Sequence, residues 1–257
     1  LFGRVGDLIG RRKVLLWVLA LSTIGSLISS VTRELDLLIL GRAMQGLAGA
    51  IIPLCFGMVQ ERASVDRVPL GISLISSSAS IAAASGLVIG GLIIDYSDWT
   101  MIFKISAALG LVAFLTVFLF VSPDQRRQSI GLGDDLLGGM LFVPAAVCLL
   151  LGIDSASKVG LSSPVTLAWL TGAAVSLIAW VWRELGVANP LIDVRLLARG
   201  EIAVANLLFV AVALGSFQGG HLMALFGQQP VSTGTGLGLS ATMAGFLLLP
   251  ANILTAL

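Results

Sequence analysis

LFGRVGDLIGRRKVLLWVLALSTIGSLISSVT, residues 1–32, begins with a glycine-spaced segment holding one acid and four bases, then runs through residues 14–32 without an Asp, Glu, Lys or Arg. An α-helix needs about 20 mostly apolar residues to cross the hydrocarbon core of a bilayer. The second part of this stretch therefore reads as a membrane span and the first as the loop leading into it. Working outward, residues 68–94, 136–153 and 159–182 are free of the same four residue types, while 37–60 holds only Arg42 and 99–123 only Lys104. The tail from 202 to 257 has no such charge, and the polar, Gly-rich break at 228–238 divides it into two more spans. These readings predict an all-α, polytopic membrane protein of about eight transmembrane helices. Composition agrees: 57% of the 257 residues are hydrophobic, 11% are charged and the mean hydropathy is +1.02, more apolar surface than a soluble domain can hide from water.

The formal net charge of +1 suggests no nucleic-acid or acidic partner; in a membrane protein the loops that hold the bases matter more. With eight alternating spans, one side carries Arg4, Arg11, Arg12, Lys13, Arg62, Arg67, Arg126, Arg127, Arg183, Arg195 and Arg199. The other carries only Arg33 and Lys158. Under the positive-inside rule this asymmetry predicts a cytoplasmic first loop; a multi-pass protein partnered by the lipid bilayer, in the cell (plasma) membrane, is expected. Cys55 and Cys148 fall inside apolar spans and read as packing residues, neither disulfide nor metal pair. A membrane-embedded enzyme would need a nucleophile with its base, or a metal cluster. One histidine, no GxSxG and no HExxH argue against that class, and no cofactor is expected.

Several residues stand out against this apolar background. Asp7 and Arg11 are four apart, so one helical turn lets them pair, and Gly3 and Gly10 permit tight backbone turns beside them. Arg42, Gln45, Gly46 and Gly49 fall at i, i+3, i+4 and i+7, one face of an α-helix. A guanidinium facing lipid is costly, so this face is expected to line a cavity or meet a partner; snorkelling to the outer surface is the alternative. Ala82, Gly86 and Gly90, at i, i+4 and i+8, form a flat stripe that another helix can approach closely. Lone His221 beside Gln218 reads either as a proton-sensing group or as an interfacial residue. The acids Asp95, Asp135, Asp154 and Glu201 all lie at span ends, none deep inside.

The opening segment resembles the signature loop between the second and third helices of the major facilitator superfamily. Gly3, Asp7, Gly10, Arg11 and Arg12 fall on the pattern, with Leu8 standing where the family usually has Arg. The face Arg42, Gln45, Gly46 and Gly49 is similar to that of the family's fourth helix, whose Arg is implicated in proton coupling. Gly86, Gly90 and Gly91 match the antiporter motif of the fifth helix, although Leu87 replaces its proline; generic small-residue packing reads the same residues equally well. DWTMIF retains Trp99 and Phe103 of a run opening the sixth helix and departs at Thr100 and Met101. The two spans between Asp135 and Leu197, with Glu184, Pro190, Leu191, Asp193 and Leu196 after them, resemble the extra helix pair of fourteen-helix drug:proton antiporters.

The resemblance implies an organisation and an activity. Residues 1–123 would belong to the N-terminal helix bundle, 124–200 to the extra pair with its cytoplasmic linkers, and 201–257 to the start of the C-terminal bundle. The activity implied is proton-coupled efflux of drugs or of amphipathic and cationic compounds, with protons and a small amphipathic substrate as partners. Gly3, Asp7, Gly10, Arg11, Arg12 and Glu61 would form a cytoplasmic gate, in which the loop's basic residue pairs with the acid at the inner end of the Arg42 span. Leu1 is not Met and 257 falls within an apolar span, so a piece incomplete at both ends, transport-inactive by itself, is expected. A facilitator of sugars or small metabolites with the same fold is the other reading.

Overall fold

The computed structural model describes residues 2–123, 133–187, 193–234 and 236–254. Arg126, Arg127, Pro190 and Leu191 lie outside the described residues, and of Arg4, Gln218 and His221 only the backbone is described. Among the described residues six segments are long and apolar enough to cross a membrane, and two shorter apolar stretches, Gly200–Gly215 and Ala241–Pro250, occupy the places of the seventh and eighth expected spans. The chain divides into two compact units, one of residues 127–210 and one of residues 2–126 with 211–257.

The larger unit starts with α1 (Phe2–Ile9), which ends because Gly10 adopts φ 104, a value open to glycine and strained for other residues. Next come α2 (Arg11–Val31), α3 (Leu35–Gly46), a 3₁₀ turn (Leu47–Ala50), α4 (Ile51–Arg62), α5 (Val68–Tyr96) and α6 (Thr100–Phe120). The 3₁₀ turn has a local cause. Pro53 has no N–H to give the Gly49 carbonyl, and its ring would press on that group, so the backbone tightens just before it. A span expected as one continuous helix is thus α3, a tight turn and α4.

The helix α2 is the centre of this unit. Val14, Leu15, Val18 and Leu19 are buried with Ala50 and Leu54, and Phe114 and Val117 of α6 pack against them. Small residues set the crossings. A Cβ on Gly110 of α6 would stand 2.5 Å from the Thr23 hydroxyl of α2, so glycine there is what permits the approach. The outer surface is apolar in turn: Phe120 is 81% exposed and Trp182, in the other unit, 80%, which suits a chain solvated by lipid.

The second unit holds α7 (Gly133–Val159), α8 (Pro164–Gly186), the short α9 (Val194–Leu197) and the first part of α10 (Gly200–Gln228). The sequence placed a break after residue 153, yet α7 continues to Val159. An exposed i, i+4 ion pair, Lys158 Nζ to Asp154 Oδ2 at 2.8 Å, lets both charges ride on the last turn, and the reversal is made by Gly160 at φ +87. Thr166 at the start of α8 fixes that turn, donating to the Gly160 carbonyl at 2.9 Å and lying 2.9 Å from Ser155 Oγ. Asp193 caps α9 by accepting from the N–H groups of Arg195 and Leu196 at 3.0 and 3.2 Å. The rest of α10 (211–228), a 3₁₀ turn (Val231–Thr233) and α11 (Ala241–Leu254) belong to the larger unit.

Candidate functional site

The crossing of α2 and α3 is made by two glycines. A Cβ on Gly25 would lie 2.5 Å from the Gly41 carbonyl, and one on Gly41 2.8 Å from the Gly25 carbonyl, so the two backbones touch. This contact brings the serines of α2 under the polar face of α3. Gln45 Nε2 donates to Ser26 Oγ at 2.8 Å, Ser26 Oγ donates to the Ser22 carbonyl at 2.9 Å, and Arg42 Nη1 donates to Gln45 Oε1 at 3.0 Å. One directed chain of hydrogen bonds thus runs from a guanidinium at the surface to the buried Ser26. Arg42, Gly46 and Gly49 are exposed, and nothing lies within 4 Å of where a Cβ would stand on either glycine. The tight turn at Leu47–Ala50 takes Gly49 off the α-helical register that placed it over Arg42.

This arrangement limits the chemistry. The Arg42 guanidinium offers a positive charge and a planar set of donors. It can attract an anion, or favour the ionised form of a carboxyl group brought near it. Gln45 orients it, and Ser26 fixes which way the Gln45 amide faces. Ser26, Gly25 and Gly41 were missed in the sequence reading; the signal was present as Ser22, Ser26, Ser29 and Ser30, recurring at helical spacing within an apolar span.

A second cluster gathers at the end of the bundle where α2 begins and α4 and α6 end. Arg11 donates through Nε and Nη2 to Asp7 Oδ1 at 2.9 and 2.7 Å, and its Nε lies 3.3 Å from Glu61 Oε1. The guanidinium lies flat across α4 at Gly57, where any Cβ would collide with it. Arg12 Nη2 donates to the Phe118 carbonyl at 2.8 Å with its guanidinium 5.9 Å from that ring, and Arg62 Nη2 donates to the Ser122 carbonyl at 2.9 Å. Both bases serve carbonyls at the end of α6, where the helix dipole favours a cation. Of the sequence-predicted gate residues, Asp7, Arg11 and Glu61 meet, Arg12 turns to α6, Gly10 makes the break between α1 and α2, and Gly3 has nothing within 4 Å of its Cβ position.

Gly57 was not singled out from sequence, yet the geometry gives it a testable role. Gly57→Ala is expected to displace the end of the flexible Arg11 side chain from α4 and, by weakening its contact with Glu61, to lower stability by about 1 kcal/mol. Gly46→Ala, which meets open space in a helix, is expected to be neutral or to stabilise by about 0.5–1 kcal/mol. Thermal melts of both variants in one detergent check this; equal melting temperatures would remove Gly57 from the cluster.

The third assembly joins α5 to α11. A Cβ on Gly91 would stand 2.6 Å from the Ala241 carbonyl, one on Gly245 2.9 Å from the Leu87 carbonyl, and Ala84, Ala244 and Leu248 are buried. Of the four residues expected to pack helices, Ala82, Gly86, Gly90 and Gly91, only Gly91 makes the close approach. Ala82 is exposed, and Gly86 and Gly90 have nothing within 4 Å of their Cβ positions, so the contact face is Ala84, Leu87, Val88 and Gly91. Trp99 packs edge-on against Phe103 at 5.8 Å.

Comparison with known proteins adds to this geometry. The family model described as Major Facilitator Superfamily matches residues 1–257. The chain is 27% identical over 242 residues to the tetracenomycin C resistance and export protein of Streptomyces glaucescens, covering 91% of this chain and 45% of that one. It is 31% identical over 205 residues to the lincomycin resistance protein of Streptomyces lincolnensis, covering 79% and 42%. To the multidrug resistance protein B homolog of Mycobacterium tuberculosis it is 26% identical over 255 residues, covering 94% and 46%. The chain thus spans about half the length of the relatives it matches.

Proposed function

The chain belongs to the Major Facilitator Superfamily, and from that premise we propose that it forms part of a plasma-membrane exporter that moves amphipathic or cationic compounds out of the cell in exchange for protons. The observation that carries this reading is the hydrogen-bonded chain from Arg42 through Gln45 to Ser26. A charge set in an apolar helix and tied to a buried polar seam is expensive unless transport uses it. Relatives named for drug resistance and export support the substrate class.

In this reading Arg42, Gln45, Gly46 and Gly49 border the pathway, and Arg42 biases the ionisation of a carboxyl group contributed by the rest of the protein. The cluster of Asp7, Arg11 and Glu61, with Gly3, Gly10 and Arg12 around it, is a cytoplasmic gate. Gly91 packs α5 on α11, Ala82, Gly86 and Gly90 offer a further surface for a helix from the rest of the protein, and α7 with α8 is the extra pair. The one-sided distribution of basic residues supports a cytoplasmic first loop.

Cells expressing the complete protein are expected to accumulate several-fold less of a fluorescent cation such as ethidium than cells without it. Collapsing the proton gradient should abolish the difference. Equal accumulation with and without the gradient intact would count against proton-driven export.

A further inference from the structure

The seam between α5 and α11 closes on a carboxylate. Asp95, in the last turn of α5, accepts from the Ala241 N–H through Oδ1 at 3.1 Å, and through Oδ2 from the Thr242 N–H at 3.0 Å and the Thr242 hydroxyl at 2.5 Å. Ala241 and Thr242 open α11, where backbone N–H groups have no partner inside their own helix. Ser240 Oγ accepts from Met243 N–H at 3.3 Å, so α11 has a local cap for one of these donors and takes the other two bonds from a helix nearly 150 residues earlier. No Asp or Glu occurs between residues 202 and 257, so a carboxylate at this helix start has to come from elsewhere in the chain, as Asp95 does.

The charge and the place both matter. Charge-assisted bonds to backbone N–H groups at the positive end of a helix are among the stronger polar contacts a protein makes. Just inside Asp95 the contact is tight, backbone against backbone at Gly91 and Gly245. Asp95 itself is exposed, so water can take over its bonds when the helices part. A water-replaceable bond at the rim of a packed seam suits a contact that opens and closes; a permanent joint would do better with apolar side chains. The two helices come from segments read as parts of different bundles, α5 from 1–123 and α11 from 201–257. Asp95 also sits at the end of α5 opposite to the Arg11 cluster.

We propose that Asp95 is a clasp: it holds the outer end of α5 against the start of α11, and its release lets the two helices separate there during transport. The inference rests on the transporter reading for its purpose and on the hydrogen bonds for its existence. It adds a gating residue on the outer side, complementary to the Asp7, Arg11 and Glu61 cluster on the inner side.

The test uses the 257-residue chain in lipid nanodiscs, with Cys55 and Cys148 replaced by Ala and spin labels at the exposed positions Leu92 and Met243. The expected result is one narrow distance distribution between the labels. Asp95→Ala should add a longer component, and amide exchange at residues 241 and 242 should speed up about tenfold, the order of magnitude of a lost carboxylate cap. Asp95→Asn, which keeps one acceptor oxygen, and Thr242→Val should show smaller changes of the same kind and serve if Asp95→Ala fails to fold. Unchanged distances and exchange rates in folded Asp95 variants would overturn the clasp. The same label pair in the complete protein separates this proposal from the transport reading. A complete protein that exports dye without ever populating the longer distance overturns the clasp as a gate. One that populates it without exporting dye supports the clasp and removes the transport reading.

Discussion

Replacing Arg42 by Ala in the complete protein is expected to lower proton-driven export by about a hundredfold, the scale of loss when a fixed charge placed for one step is removed. The protein should remain folded. Arg42 is exposed and donates to Gln45 Oε1, while the contact that joins α2 to α3 is the Gly25–Gly41 crossing, which the substitution leaves in place. Removing a guanidinium from an apolar helix is also favourable in itself. Activity and stability should therefore move apart, with export falling and the melting temperature constant or higher. Arg42→Lys should recover only part of the activity, since an ammonium can reach Gln45 but lacks the planar fork. If Arg42 merely snorkels to the outer surface, export will be normal in the Ala variant, and the role assigned to the seam fails.

The second large effect is expected at Arg11. This one cation serves both Asp7 and Glu61, and its side chain is only 16% exposed against 22% for Glu61, so the pair has lost much of its water. Breaking a desolvated pair from one side costs more than breaking one in water. Arg11→Ala is expected to destabilise the protein by about 2–3 kcal/mol and to reduce export about tenfold through a gate that no longer closes. A double-mutant cycle with Arg11→Ala and Glu61→Gln should give a coupling of about 1 kcal/mol. The control is Lys158 and Asp154, a pair of similar chemistry whose side chains are 69% and 55% exposed; there the coupling should be about 0.3 kcal/mol or less. Equal coupling in the two cycles would show that burial does not give the Arg11 cluster its weight.

The membrane spans were legible because charge is so costly in lipid that its absence marks a helix, and only Arg42 and Lys104 interrupt the apolar runs. Helix ends were less so. Asp154 and Lys158 looked like loop residues, but as an i, i+4 pair they extend α7 to Val159, and Glu184 is carried into the last turn of α8. The 3₁₀ turn before α4 follows from Pro53, whose effect falls four residues upstream at Gly49.

At the candidate site, spacing alone placed Arg42 beside Gln45, three residues on, because α-helical register brings them together. It could not reveal Ser26, since a contact between two helices depends on where they cross, and that was set by a pair of glycines whose partners are invisible in one strand of sequence. In α5, so rich in Ser, Ala and Gly that several small-residue stripes coexist, choosing the stripe Ala82, Gly86 and Gly90 over the face of Ala84 and Gly91 needed knowledge of α11. The meeting of Arg11 and Glu61 came from the family resemblance, as no periodicity relates residues that far apart. Asp95 read as an ordinary acid at a helix end, and only the fold brings it to the start of α11.

Proton-coupled export, as proposed, moves substrate and protons in opposite directions. Its most direct measurement is proton counterflow in sealed liposomes carrying the complete protein and a trapped pH-sensitive dye, with no pH gradient imposed. Adding a cationic substrate such as ethidium outside should drive protons out of the lumen, raising its pH at a rate that saturates with substrate and vanishes in the Arg42→Ala variant. Ethidium entering without any change in luminal pH would contradict the exchange, and the same pH change in the Arg42→Ala liposomes would contradict the role given to Arg42.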